Sequence, residues 1–120
     1  MTWKLWIDDE SFNPEAIVRH APEGFKIAES SVGAMNLVLS FGFPAFVDFD
    51  HDLGGDDCIG NAKVEPDCAM KFLNQLRDCY DLHMIKPFDY SIHSQNPVGA
   101  KNIQAFMNSW SRAYENFLNQ

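Results

Sequence analysis

Four short apolar segments recur along the chain, and each has the pattern of a β-strand. They cover residues 4–8, 25–29, 45–50 and 88–93. Apolar runs of this length, continuous or alternating, are typical of strands, because successive residues of a strand point to opposite faces of a sheet. The sequence therefore predicts four strands.

Helical patterns fill the stretches between and after these segments. Each begins at a residue that can cap a helix or at a proline suited to the first turn, and apolar residues then recur every three or four positions. The predicted helices are residues 13–20, a segment capped by Ser30 or Ser31 and ended by Gly42, a segment opened by Pro66, and a segment running from Asn96 and Pro97 to the C-terminus.

The regular alternation of strands and helices predicts an α/β fold. Such alternation is typical of a parallel sheet with helices on both faces. Right-handed crossovers favour a flavodoxin-like three-layer sandwich with four strands in the order 2-1-3-4. At 120 residues the chain is expected to form a single domain over 1–120.

Composition and charge narrow the possible partners. No apolar run approaches the roughly 20 residues of a membrane span, and no signal-peptide pattern is present, so we expect a cytoplasmic protein without membrane contact. The net charge of −8 disfavours binding to DNA or RNA polymers. A small phosphorylated ligand is compatible with this negative charge, because a bound cation reverses the local electrostatic field. The three cysteines lack C-x-x-C spacing and are expected to be reduced and partly buried.

Acidic residues lie at the ends of two strands that the predicted order makes neighbours. Asp8 ends the first strand and Asp9 follows it, and Asp50 ends the third. Close carboxylates repel one another unless a cation intervenes, and oxygen ligands suit Mg²⁺ or Mn²⁺. The alternative is that these acids are simply solvated. Asp48 shares a strand face with Asp50, and the sequence leaves open whether it supports this site or pairs with a base.

Two histidines lie where strands end, His51 after the third and His93 at the end of the fourth. Imidazole titrates near neutral pH, so the pair could serve as general base and general acid. Which histidine has which role stays open. The alternative is that either one is structural.

The segment "SQNPVGAKN", residues 94–102, predicts an anion site at the start of the last helix. If Asn96 caps that helix, the amides of Val98 and Gly99 lie in its first turn, where amides and the helix dipole favour an anion. Ser94 lies beside them in sequence, and Lys101 adds a cation. An ordinary capped helix start is the alternative.

The motifs "FDHDLGG" and "IHSQNPVGAKN" resemble those of the cyclic-phosphate processing receiver domain family. That family is related to the receiver domains of two-component signalling and pairs a D-H-D-L-G motif with an H-S-x-N-P-V-G motif. The resemblance spans nearly the whole chain and implies a receiver-like fold with a site at the strand ends. It also implies action on cyclic phosphates, with nucleotides as the expected substrates. Occurrence of the family in bacteria and phages suggests nucleotide-signalled defence or its evasion.

The resemblance also implies roles for individual acids. The acidic pair of receivers binds a divalent metal, which here means Asp8 and Asp9. Asp50 corresponds to the phosphoacceptor and metal ligand, and Asp52 to the residue whose backbone carbonyl binds the metal. A covalent phosphoryl group on Asp50 during catalysis is left open.

Departures from ordinary receivers favour an added acid–base chemistry over a phosphorelay. The sequence shows no fifth strand ending in the phosphate-binding lysine. Lys86 precedes the fourth strand, and Lys101 is a candidate substitute. His51 and His93 are not features of receivers. The segment 56–66 also differs from the helix start expected of the narrower family. A metal-dependent phosphoesterase is therefore the first hypothesis, and the alternatives are a cyclic-nucleotide sponge and a phosphoaccepting receiver.

Overall fold

The computed structural model describes five segments of the chain, residues 3–7, 24–28, 30–49, 68–93 and 97–120. Their regular elements are β1 Lys4–Ile7, β2 Phe25–Ala28, α1 Ser31–Phe41, β3 Phe46–Phe49, α2 Cys68–Cys79, a 3₁₀ turn at Leu82–Met84, β4 Asp89–Ile92 and α3 Pro97–Leu118. All four predicted strands are present, and each begins within one residue of its predicted start. The helix predicted over 13–20 lies outside the described residues.

The four strands form one parallel sheet in the order β2-β1-β3-β4. Ile7 pairs with Ala28 on one side and with Phe49 on the other, and Phe49 pairs with Ile92. The last residues of the strands therefore form one row across the sheet. This order and the three helices confirm the predicted receiver-like α/β fold.

One face of the sheet, here called the core face, holds the hydrophobic core. It carries Leu5, Ile7, Val47 and Phe49, all of them fully buried. They belong to one cluster with side chains of all three helices, including Ala34, Met35, Val38, Phe72, Leu73, Leu76, Ile103, Met107 and Trp110. Burying each large apolar side chain stabilises the fold by roughly 1.5–3 kcal/mol. This cluster fixes α1, α2 and α3 against the core face.

The opposite face of the sheet is built differently, because alternate strand residues project there. Trp6 is buried on this face and packs edge-on against Phe25, which in turn contacts Phe46 edge-on. Asp48 lies on the same face beside Trp6, its register partner in β1. A carboxylate thus occupies the side of the sheet that the described helices do not cover.

Local signals in the sequence explain where α1 begins and ends. The Ser30 hydroxyl accepts a hydrogen bond from the Gly33 amide at 3.0 Å, so Ser30 is the N-cap. Gly42 ends the helix with a φ of 82°, and its N–H donates to the Val38 carbonyl at 2.8 Å. This backbone conformation is one that glycine adopts without strain.

Trp110 ties α3 to the chain that leads into β4. Its indole N–H lies 2.7 Å from the Leu82 carbonyl and 2.9 Å from the Ile85 carbonyl, and both accept from it. The ring also packs edge-on against Phe88, which precedes β4. These contacts hold the long last helix in a defined position beside the edge strand.

Among the described helices, none combines the length and the apolarity needed to cross a bilayer.

Cys79 is a free thiol, but its side chain is exposed, so the expectation that it is partly buried was wrong. The reason is that α2 ends at Cys79, and Tyr80 rather than Cys79 packs against the core.

Candidate functional site

The candidate site lies at the C-terminal edge of the sheet, where three adjacent strands end together. Ile7, Phe49 and Ile92 are the last residues of β1, β3 and β4, and they are register partners across the sheet. The residues that follow them in sequence are Asp8, Asp50 and His93. Ligands of open parallel sheets bind beyond this edge, near the point where the strand order reverses. Here that point lies between β1 and β3.

The described residues include four of the predicted site residues: His93, Val98, Gly99 and Lys101. The other seven lie outside the described part of the chain, namely Asp8, Asp9, Asp50, His51, Asp52, Ser94 and Asn96. The structure thus gives the strand ends and helix start next to which these seven residues stand in the sequence.

His93 is held at the edge of the sheet by its backbone. Its N–H donates to the Phe49 carbonyl at 3.0 Å, which extends the β3–β4 ladder by one residue beyond the end of β4. The side chain is 47% exposed, so solvent or a small ligand can reach the imidazole. A histidine with a fixed backbone and an accessible ring is well suited to proton transfer.

Asp48 is the partner that the structure gives to His93. The Nε2 of His93 lies 3.5 Å from Oδ2 of Asp48, whose side chain is 10% exposed. This is an ion-pair distance, longer than the roughly 2.7–3.2 Å of an N–H···O hydrogen bond. The sequence leaves two roles open for Asp48, support of the acidic site or pairing with a base. In the structure Asp48 lies next to a base, His93.

A signal in the sequence pointed to this pair, although the sequence alone did not identify it. Asp48 pairs in register with Ser91, and His93 is two residues further along on the same side of the pleat. Side chains two positions apart on neighbouring strands are diagonal neighbours within reach of one another. The contact between Asp48 and His93 therefore follows from the β3–β4 register, which the sequence alone does not give.

The start of α3 supplies the described part of the predicted anion site. Pro97 is the first helical residue, and the first turn contains no acidic side chain. Gly99 is buried, whereas the side chain of Val98 is 66% exposed and Lys101 is exposed. A helix start without acidic groups and with a nearby lysine is electrostatically compatible with an anion.

Two further features of the described residues concern metal ligands and a cavity beside β4. Within the described segments, no group of three or more His, Cys, Asp or Glu side chains is arranged to hold a metal ion; all the predicted ligands lie elsewhere in the chain. A cavity of about 450 Å³ lies between the start of β4 and the C-terminal half of α3, lined by residues that include Phe88, Tyr90 and Tyr114. It is therefore at the opposite end of β4 from His93.

Comparison with known protein families gives a match over most of the chain. A family model described as "Cyclic-phosphate processing Receiver domain" matches residues 3–109, which is most of the chain. The matched range includes both sequence motifs, all four strands and the start of α3. No curated protein and no solved structure matches the sequence.

Proposed function

Because the chain belongs to the cyclic-phosphate processing receiver domain family, we propose that it is a divalent-metal-dependent phosphoesterase. Its proposed reaction is hydrolysis of a cyclic phosphate, with a cyclic nucleotide as the substrate. Water attacks phosphorus, one ester bond of the ring breaks, and the leaving oxygen takes up a proton, so the product is a phosphate monoester. The proposed setting is the cytoplasm, in nucleotide signalling between bacteria and phages.

The observation that carries this proposal is the row of strand ends. Ile7, Phe49 and Ile92 lie side by side, and His93 follows with its backbone bonded to β3. Since each acid or histidine directly follows a member of this row in sequence, chain connectivity favours a shared site for Asp8, Asp50 and His93. Acids with an accessible base among them are what phosphoryl chemistry requires.

The donor set of the proposed site suits a hard divalent cation. Asp8, Asp9 and Asp50 would hold Mg²⁺ or Mn²⁺ through carboxylate oxygens, and Asp52 through its backbone carbonyl. When bound, the ion would supply Lewis-acid polarisation of a phosphoryl oxygen. The chain has a net charge of −8, so neutralising these acids also lowers the barrier to approach of an anionic substrate.

Histidines are proposed to move the protons. One of His51 and His93 removes a proton from the attacking water, and the other donates a proton to the leaving oxygen. The accessible ring and fixed backbone of His93 support its part in this exchange. Asp50 serves as a ligand, and a phosphoryl group carried on its carboxylate is the other role open to it.

The first turn of α3 is proposed to bind the phosphate oxygens. Backbone amides of Val98 and Gly99 would donate to them, with the side chains of Ser94, Asn96 and Lys101 around the same group. Charge builds on these oxygens during phosphoryl transfer, so donors placed there stabilise the transition state more than the substrate. The absence of acidic residues from this turn supports the assignment.

The test is incubation of the purified protein with a panel of 3′,5′- and 2′,3′-cyclic nucleotides and Mg²⁺ or Mn²⁺. We expect chromatography to detect a nucleoside monophosphate as the product. This product should not form with the variant Asp50→Asn. Recovery of intact ligand from denatured protein would instead identify a sponge. A persistent gain of one phosphoryl mass from acetyl phosphate, absent from Asp50→Asn, would identify a phosphoaccepting receiver.

A further inference from the structure

The Asp48 carboxylate is largely buried, so its charged form needs a positive group or a hydrogen-bond donor nearby. It is one of two polar residues among the buried residues described, and it lies between β1 and β4 in the middle of the sheet, beside Trp6 and Ser91. A charged group removed from water is costly unless a positive group or a hydrogen-bond donor compensates it. Nε2 of His93, at 3.5 Å, is such a group.

This contact is specific to one nitrogen of the imidazole ring. A neutral imidazole carries its proton on either Nδ1 or Nε2, and the other nitrogen then has a free lone pair. A carboxylate next to Nε2 attracts the N–H to that nitrogen, because the alternative places two lone pairs against each other. The ring is thereby oriented, and its Nδ1 is left able to accept a proton.

We propose that Asp48 is a positioning residue that holds the proton of His93 on Nε2 and makes Nδ1 the atom that exchanges protons with the reactants. This inference rests on the proposed function for its catalytic meaning, but the tautomer itself does not depend on turnover. Asp48 touches no substrate in this scheme. It acts through His93, first by setting the tautomer and then by stabilising the imidazolium that forms when Nδ1 takes up a proton.

Nitrogen-15 NMR of protein labelled at histidine tests the tautomer directly. The variant His93→Gln lacks the His93 signals and so assigns them. In the wild-type protein, Nε2 of His93 is expected at the chemical shift of a protonated nitrogen and Nδ1 at that of an unprotonated one. The same spectrum contains His83, which lies on the 3₁₀ turn before β4 and serves as an internal control.

The variant Asp48→Asn removes the charge and keeps the shape of the side chain. Its His93 signals should shift towards the other tautomer, because the neutral amide holds the N–H less strongly and its NH₂ can donate to Nε2. The His83 signals should not move. If Asp48→Asn does not fold, Asp48→Ser serves for the same comparison. A wild-type His93 protonated on Nδ1, or unchanged His93 signals in the folded variant, would overturn the proposal.

Kinetics provide the second readout. Asp48→Asn should lower kcat by about 10- to 100-fold, the effect typical of removing a group that orients a histidine, with little change in KM. In the double variant Asp48→Asn/His93→Ala, kcat should fall no further than in His93→Ala alone, since Asp48 acts only through His93. A further fall in the double variant would contradict the positioning role. A wild-type protein that turns over no cyclic phosphate would refute the proposed function, and the NMR result would still decide the tautomer.

Discussion

The variant His93→Ala separates a catalytic histidine from a structural one, because the structure predicts very different effects on activity and stability. The backbone bond from His93 N–H to the Phe49 carbonyl does not involve the side chain and is kept in alanine. The side chain is 47% exposed, so little apolar contact is lost. The main contribution of the His93 side chain to the free energy of unfolding is its contact with Asp48.

The magnitude of that contact follows from its distance. Two unit charges 3.5 Å apart attract by about 1 kcal/mol in water and by about 5 kcal/mol at an effective dielectric constant of 20. The half-exposed imidazole favours the lower figure, and it carries a full charge only when protonated. We therefore expect a loss of about 1 kcal/mol in the free energy of unfolding, or a fall in Tm of about 2–6 °C.

The expected loss of activity is far larger. A side chain that transfers a proton in the transition state contributes about 100- to 10,000-fold to the rate, which corresponds to about 3–5 kcal/mol. Initial rates at saturating cyclic nucleotide and Mn²⁺ measure this, and thermal unfolding followed by circular dichroism measures stability. Removal of the exposed His83 by the same substitution is the matched control and should leave kcat unchanged.

Two results would refute this reasoning. Activity of His93→Ala within about threefold of wild type would remove His93 from the proton transfer, since even a modest general acid or base contributes far more. A loss of most of the folded protein would show that the histidine is needed for stability, which its exposure argues against.

Three further predictions concern the fold and the cofactor. Trp110→Phe loses an N–H that two carbonyls accept and should cost about 2 kcal/mol in urea unfolding; a cost under about 0.5 kcal/mol would show that these bonds contribute little. Gly42→Ala should cost about 1–3 kcal/mol because φ is 82° and ψ is −173° there, although no atom lies within 4 Å of an added Cβ; unchanged stability would contradict this. Removing divalent ions with EDTA should stop turnover, and added Mg²⁺ or Mn²⁺ should restore it, whereas full activity in EDTA would exclude the metal requirement.

The strand order could be predicted because it follows from general rules applied to a clear pattern. Four apolar segments with helical stretches between them restrict the topology, and right-handed crossovers leave the order 2-1-3-4 as the natural choice. The cap at Ser30 and the end at Gly42 were also readable, since each residue type has a conformational reason for its position. These features depend on local sequence and on chirality, not on side-chain packing.

Packing details could not be predicted in the same way. Val32 and Leu39 fit the apolar composition of α1, yet they are 60% and 66% exposed. A helix that is apolar on nearly all sides gives no signal for which side faces the core. Cys79, the last residue of α2, is exposed for a similar reason: the sequence does not show which side chains of a helix's last turn face the core.

The candidate site shows the same limit. The sequence placed acids and histidines at strand ends, and the paired ends of β1, β3 and β4 agree with that placement. The contact between Asp48 and His93 needed the register of two strands distant in sequence, and hydrophobic alternation does not specify register between particular strands.

A crystal soaked in Mn²⁺ tests most directly whether the ends of β1 and β3 build a cation site. We expect an anomalous peak within about 2.5 Å of a carboxylate oxygen of Asp9 and of Asp50, and we expect that peak to be lost in crystals of Asp50→Asn. The absence of a peak between these two residues at saturating Mn²⁺ would exclude a cation site at the ends of β1 and β3.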